Sequence, residues 1–514
     1  MNFLEKDIIQ MQAHGIELSS AVEQMERFYK GFPFTKIIRP ATIGDGILAF
    51  DSSSIDKYNS IYDSDSIKYT IAKFVPASGA ASRMFKDLYE YVDSTEKDLG
   101  KFPQAEKTIR QISDFAFVEA LDKTLRFGGV NLETELLKSN NKKIIRHIIN
   151  SEGLDYGHNP KALIQFHRYD DEVRTAIEEH LVEAAMYCKD KQSKARLHFT
   201  ISPEHLPKVK ILLDKVLDKY SKRYNVEYEI KLTTQKSSTD IFAVNLDNTP
   251  ARDEHGNLIF RPSGHGALLD NLQETESEII FVKNIDNVEQ DCFKKEEVRY
   301  KKALGGLLIR LKETCDVLLQ VLDSEDCSQE QIDEILKVLQ SDFSIDLLKA
   351  DEFASNKEYV EYLRTFFNRP LRVCSMVKNE GQPGGGPFWV EDGFGNMSLQ
   401  IVEKAQINMA DESSCKVLET ATHFNPVDMV CVITNYKGEK FQLQDFVDKT
   451  TGFISEKTQQ SSKIKIQERP GLWNGSMAGW LTIFVETPIA YFNPVKTVND
   501  LLETAHQNPK RLKK

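Results

Sequence analysis

Tyr69-Thr70-Ile71-Ala72-Lys73-Phe74-Val75-Pro76-Ala77-Ser78-Gly79-Ala80-Ala81-Ser82-Arg83-Met84 is the stretch whose reading decides the fold. It opens as an apolar, β-branched run, which predicts a strand. Small residues follow, and Met84-Phe85-Lys86-Asp87-Leu88-Tyr89 then reads as the first turns of a helix. A strand, a small-residue turn and a helix start leave backbone N–H groups bare at the positive end of a helix dipole, a geometry that suits phosphate. Small side chains let an anion come close to the backbone. Arg83 adds a forked, permanently charged donor. Taken alone, the same stretch is also an ordinary strand-to-helix turn with a surface arginine.

Composition bounds what surrounds it. A chain of 514 residues is too long for one simple core, so two to four substructures are expected. The 40% hydrophobic and 28% charged content excludes a disordered chain. The net charge of −12 argues against a general nucleic-acid binder but allows a local basic pocket. The 7 cysteines are scattered without a CxxC pair, which predicts reduced thiols and a cytoplasmic protein. The first residues lack a signal-peptide pattern, and no apolar run reaches transmembrane length, so no membrane partner is expected.

In chain order, residues 4–13 show helical spacing with Leu4, Ile8, Ile9 and Met11 on one side. Residues 35–50 read as strand and loop, and the charged segment 51–68 as exposed surface. Residues 87–158 read as mostly helical, an insertion, with Ile109, Ile112, Phe115, Phe117, Val118 and Leu121 forming one wide apolar face between Ala105 and Leu125. Ala195–Ile201 and Tyr228–Leu232 read as strands, and Ser202-Pro203-Glu204 opens a helix between them. Strands alternating with helices predict βαβ units and a mainly parallel sheet. Residues 293–366 form a second, charge-dense helical insertion, with Ser328-Gln329-Glu330-Gln331 as a capping box. A homo-oligomer surface, a cover on the site and a solvated helical bundle are the three readings of that insertion.

Five motifs in order resemble the GT-A nucleotidyltransferases, in particular the UDP-sugar pyrophosphorylases. They are Ser78-Gly79-Ala80-Ala81-Ser82-Arg83, Pro160-Lys161-Ala162-Leu163, Gln235, Pro262-Ser263-Gly264-His265-Gly266 and Asn284-Ile285-Asp286-Asn287. Phe492-Asn493-Pro494-Val495-Lys496 resembles the Phe-x-Pro-Val-Lys segment of the same family, so the likeness touches both ends of residues 69–502. The chain also resembles a bacterial domain-of-unknown-function family with these motifs. There are departures: Ser78 and Ala81 replace loop glycines, and the insertion separates Arg83 from Lys161. Lys86 is a rival to Lys161 for the phosphate, but it sits inside an apparent helix.

The resemblance implies a GT-A Rossmann-like mixed α/β sheet with two helical insertions. It divides the chain into an extension at 1–68, a nucleotide-binding half at 69–290 that includes insertion 87–158, a helical insertion at 291–370, and a sugar-phosphate half with the C-terminal segment at 371–514. It implies transfer of a nucleoside triphosphate, with UTP preferred, onto a sugar 1-phosphate with release of pyrophosphate. Arg83, Lys161 and Lys496 would be the catalytic cations. Ala77, Ser78, Gly79, Ala80, Ser82, Gln235, Gly264, His265 and Gly266 would bind the nucleotide. Asn379, Gly385 and Glu403 would bind the sugar phosphate. Asp286, with Asn474 as the second ligand, would hold Mg²⁺.

Each motif also has a plainer reading. Gly-His-Gly alone is a turn. Asp286 after the apolar run 279–282 sits where open α/β sheets bind ligands and is a hard oxygen ligand, yet Asp-Asn is also an Asx turn. Gln235 alone is a surface residue, and Lys496 alone is a solvated lysine. Asp428 is an open rival to Asn474. Two alternatives share the fold: a degenerate protein that binds nucleotide sugar without turnover, and a glycosyltransferase. The second normally shows a DxD motif, and Ile285-Asp286-Asn287 lacks its first Asp.

Overall fold

The computed structural model describes residues 3–79, 81–324, 328–343, 347–382, 384–393, 395–459 and 462–509. It is a mixed α/β protein whose residues group into two compact units, each assembled from separated stretches. One unit comprises Ile71–Thr234, Lys283–Lys301 and Ile489–Lys514, and the other Met1–Thr70, Gln235–Val282 and Lys302–Pro488.

The first of these units is built on three parallel strands: β1 (Ile71–Pro76), β2 (Lys194–Thr200) and β3 (Glu227–Thr233). β2 pairs with both neighbours in parallel register, with Phe74 opposite His198 and His198 opposite Lys231. The β2–β3 crossover is a short 3-10 turn, Pro203–His205, followed by the helix Leu206–Tyr224. Between β1 and β2 the chain is helical from Lys86–Asp93 through Asn141–Ile149. The single wide-faced helix expected over 105–125 is interrupted. It ends at Arg110, makes a 3-10 turn at Ile112–Asp114 and restarts at Val118. Phe115 and Phe117, both fully buried, stack at 4.8 Å in the break, so packing of the rings overrides helical periodicity.

The other unit carries a mixed arrangement. The strand Leu371–Lys378 pairs in parallel with Leu481–Glu486 and antiparallel with Asp428–Val432. A separate antiparallel sheet joins Ile37–Pro40, Gly385–Glu391 and Met397–Glu403. Two expectations are corrected here. The segment 51–68 is not simply exposed: Ser52–Asp65 is a helix, capped by Asp51 accepting from Ser54 N at 2.7 Å, and it buries Ile55, Tyr58 and Tyr62. Gly305 and Gly306 give room for it, because a Cβ on Gly306 would lie 1.9 Å from the Tyr58 carbonyl oxygen. At the helix Glu5–His14, the N-cap residue Leu4 and Ile9 are exposed, whereas Asp7 is fully buried and paired with Arg252 at 2.7 and 2.8 Å. A specific ion pair there turns the face that spacing alone assigned.

Candidate functional site

β1 ends at Pro76, and the following turn is pinned to its neighbours. Ala77 N donates to the Thr200 carbonyl at 3.1 Å, and Ser202 Oγ donates to the Ser78 carbonyl at 2.8 Å. Ala77 is buried, Ser78 is half-buried and Gly79 is exposed. Ala80 lies outside the described residues. Ala81 N donates to the Asn159 carbonyl at 3.2 Å, and residues Ala81–Phe85 form a 3-10 turn before the helix begins at Lys86. Ala81 is not among the residues with positive φ, so its side chain introduces no backbone strain. A Cβ on Gly79 would meet nothing within 4 Å. Ser82 and Arg83 are exposed, and Arg83 makes no ion pair among the described residues.

Three charged side chains meet beside this turn. Ile285 N donates to the Pro76 carbonyl at 3.3 Å, which sets the following residue, Asp286, next to the end of β1. Asp286 Oδ2 accepts from Lys161 Nζ at 2.8 Å and from Lys496 Nζ at 3.0 Å. Lys161 also donates to the Val495 carbonyl at 2.6 Å, and Val495 N donates to the Asp286 carbonyl at 3.0 Å. The Asp286 side chain is 8% exposed, that of Lys161 14% and that of Lys496 60%, so the cluster opens to solvent on the Lys496 side. Burial pushes the Asp286 carboxyl upward, but the two ammonium charges outweigh it and hold the group below its ordinary range. Asp286 is therefore buried within the cluster, with one carboxylate oxygen shared by two lysines. Its Oδ1 is buried without a hydrogen-bond partner.

Lys86, the rival phosphate lysine, is paired among the described residues with Glu90 on its own helix at 3.5 Å, and its side chain is 74% exposed.

The backbone around Asp286 is steadied from behind. His180, fully buried on the helix Ala176–Tyr187, contacts the Ile285 carbonyl at 3.2 Å. Burial and the nearby Lys73 charge keep this imidazole neutral, so its Nε2–H is the donor. Next to it, Glu183 binds both Lys73 and Lys283, and Lys283 also binds Glu297. Nothing in the sequence signals this network. A lysine inside an apolar strand reads as a polar interruption, not as half of a buried pair.

The remaining expected residues belong to the other unit, where three of them converge. His265 Nδ1 accepts from Leu472 N at 2.9 Å, its ring stacks on Trp473 at 4.1 Å, and its Nε2 faces Glu403 Oε1 at 3.4 Å. Asn474 Nδ2 donates to the same Glu403 oxygen at 2.8 Å, and Asn474 Oδ1 is buried without a partner. Burial raises the Glu403 carboxyl, but His265 and Asn474 more than offset it and leave the group ionised at lower pH than usual. Both His265 nitrogens thus already face protein groups. Gly266 is required by packing, since a Cβ there would lie 2.1 Å from the Pro470 carbonyl oxygen, while Gly264 adopts φ +82°. Gly385 lies in a strand opposite Glu403 rather than in an open turn. Gln235 bonds Thr239 Oγ1 at 3.3 Å, and Asn379 Oδ1 accepts from Gly381 N at 2.9 Å, so each is engaged in its own turn. Trp473, half-buried, was not singled out by the sequence; its stacking on His265 is a long-range contact that no local pattern marks.

The fold and the charged cluster define a mixed α/β protein with a cation pair at the ends of parallel strands. The chain belongs to the family described as Domain of unknown function (DUF4301), whose model matches residues 4–507. No curated protein matches its sequence. Similar solved structures include the UDP-glucose pyrophosphorylase from Leishmania major, at 13% identity and a TM-score of 0.45, covering 98% of this chain and 79% of that one. They also include the uridine diphosphate N-acetylglucosamine pyrophosphorylase from Trypanosoma brucei, at 10% identity and a TM-score of 0.47, covering 95% of this chain and 73% of that one. No helix among the described residues is long and apolar enough to cross a membrane.

Proposed function

We propose that this chain is a sugar-1-phosphate nucleotidyltransferase of GT-A-like architecture. It joins a nucleoside triphosphate, UTP in first place, to a sugar 1-phosphate and releases pyrophosphate. The observation that carries this reading is the Lys161–Asp286–Lys496 cluster beside the turn that bears Arg83. Two ammonium groups share one carboxylate oxygen, so the cluster keeps a net positive charge and is open to a phosphate from the solvent side.

In the reaction an oxygen of the sugar phosphate attacks the α-phosphorus in line. The bond from the α-phosphorus to the oxygen bridging to the β-phosphorus breaks, and pyrophosphate leaves with that oxygen and its electron pair. No side-chain nucleophile is required. The protein positions two anions and neutralises charge as it spreads over phosphate oxygens. Lys161 and Lys496 hold phosphate oxygens from the Asp286 side, and Arg83 offers its fork from the turn.

Mg²⁺ fits this cluster through one atom. Asp286 Oδ1 is buried and unpartnered, and one carboxylate oxygen plus substrate phosphates and water is a usual Mg²⁺ set. Among the described residues no group of three or more His, Cys, Asp or Glu is arranged to hold a metal, so phosphates and water would complete the shell. When bound, the ion would neutralise charge on the phosphate oxygens.

The test is a panel of nucleoside triphosphates against sugar 1-phosphates with Mg²⁺, reading pyrophosphate release. A second reading, nucleotide-sugar binding without turnover, is favoured by one observation: both His265 nitrogens already face protein groups. Release from no pair in the panel, by folded protein that still binds nucleotide, selects that reading.

A further inference from the structure

The segment that carries Lys496 is held by contacts that the reaction above does not use. Residues 493–496 lie alongside 286–289. Asn493 N donates to Asn287 Oδ1 at 2.9 Å, and Asn493 Nδ2 donates to Glu289 Oε2 at 3.0 Å. Val495 is central to this clip, since its N–H holds the Asp286 carbonyl and its carbonyl holds Lys161. The Lys496 side chain itself is 60% exposed, and an exposed ion pair is too weak to place a long flexible side chain. The backbone must therefore do the placing.

Ten residues on, the chain turns inward. His506 is 3% exposed, and its Nδ1 lies 2.8 Å from His167 Nε2. The two rings stack at 5.1 Å. His167 Nδ1 lies 2.9 Å from Glu179 Oε1, and Glu179 is fixed by Lys294 at 2.8 Å, Arg174 at 3.3 Å and Tyr169 at 2.8 Å. On its backbone side His506 is tied to the clip through Gln290, the neighbour of Glu289: Gln290 Nε2 donates to the His506 carbonyl at 2.9 Å and Gln290 N to the Ala505 carbonyl at 3.1 Å. A line of buried polar contacts thus runs from Glu179 through two imidazoles to the segment that bears Lys496. Buried polar chains of this kind fix one geometry when every member is satisfied.

We propose that His506 is a positioning residue: through His167 and Glu179 it anchors residues 493–496, and so sets Lys496 and, by way of Val495, Lys161 on Asp286. The proposal rests on the phosphate reading of that cluster.

The experiment uses the full chain, inorganic pyrophosphate as probe, and four variants: His506→Ala, His506→Gln, Lys496→Ala and the double change His506→Ala/Lys496→Ala. In His506→Ala, exchange at the Val495 amide should quicken by about tenfold or more while the β1 amides stay unchanged. Pyrophosphate affinity by calorimetry should fall about tenfold, His506→Gln should recover most of it, and the double variant should lose less than the sum of the two single losses, because only the share that runs through Lys161 is left to lose. An unchanged Val495 amide, or losses that add in the double variant, would overturn the proposal. If His506→Ala does not fold, His167→Gln breaks the same line at its middle and replaces it. If the parent binds no pyrophosphate, the phosphate reading fails, and the anchor still stands or falls on the Val495 amide.

Discussion

Lys161 donates to Asp286 at 2.8 Å across 125 residues of chain, and this contact ties the turn after Pro160 to the segment that follows Lys283. Because the carboxylate is buried, it serves the fold as well as any chemistry. Asp286→Asn keeps the shape but removes the charge that two lysines share. We expect a loss of about 1–3 kcal/mol, carried mostly by Lys161 because the exposed Lys496 is screened. Turnover should fall by roughly two orders of magnitude or more. Urea unfolding checks the first figure; a midpoint equal to the parent's would show that the pairs contribute nothing.

The two candidate phosphate lysines separate cleanly. Lys161→Ala should lower kcat/KM by roughly tenfold to a thousandfold, whereas Lys86→Ala should cost less than about tenfold. Lys86 points along its own helix toward Glu90. Steady-state kinetics with circular dichroism decides the matter, and a crippled Lys86→Ala beside a normal Lys161→Ala would reverse the assignment.

Two glycines give opposite expectations. Gly266→Ala forces a Cβ to 2.1 Å from the Pro470 carbonyl oxygen and should destabilise by about 1–3 kcal/mol. Gly79→Ala meets nothing within 4 Å and needs no positive φ, so its thermal midpoint should match the parent's. If an anion does approach the turn, KM for the triphosphate should nonetheless rise in Gly79→Ala. An unchanged KM would mean that no phosphate comes near that backbone.

Acid sensitivity should begin with the buried histidines. Burial first, and then the neighbouring His167, pull His506 from 6.5 down to about 3. The unfolded chain therefore takes up a proton where the folded one does not, and stability falls as pH drops below 6.5. Each such group contributes a slope of up to about 1.4 kcal/mol per pH unit. Asp286, held below its ordinary 3.8, loses its contribution only as pH falls below that value. His506→Gln should flatten the stability curve between pH 6.5 and about 5. A variant with the parent's slope would show that His506 is not the group responsible.

Much of the scaffold was legible because it rests on local rules. The β-branched run at 71–76 became a strand, and Pro203 opened the crossover to the helix Leu206–Tyr224. The site was legible in a different way. No spacing rule brings Lys161, Asp286 and Lys496 together; only the order of motifs in a resembling family suggested it. His265 shows the limit of that route, since its motif was visible but its engagement by Leu472, Trp473 and Glu403 was not. Asp7 and Tyr62 were misjudged for one reason: partners far along the chain, Arg252 for one and Phe281 for the other, bury what local polarity places outside.

The interleaving of the two units has a consequence for biosynthesis. Asp286 and Lys496 are separated by 210 residues. At a ribosomal rate of about 5–20 residues per second, roughly 10–40 s pass between their emergence. Throughout that interval a nascent chain holds the carboxylate with one lysine rather than two, and lacks the Val495 carbonyl that steadies Lys161. Chains stalled anywhere before Lys496 are therefore incomplete at the charged cluster, however well the earlier strands have folded.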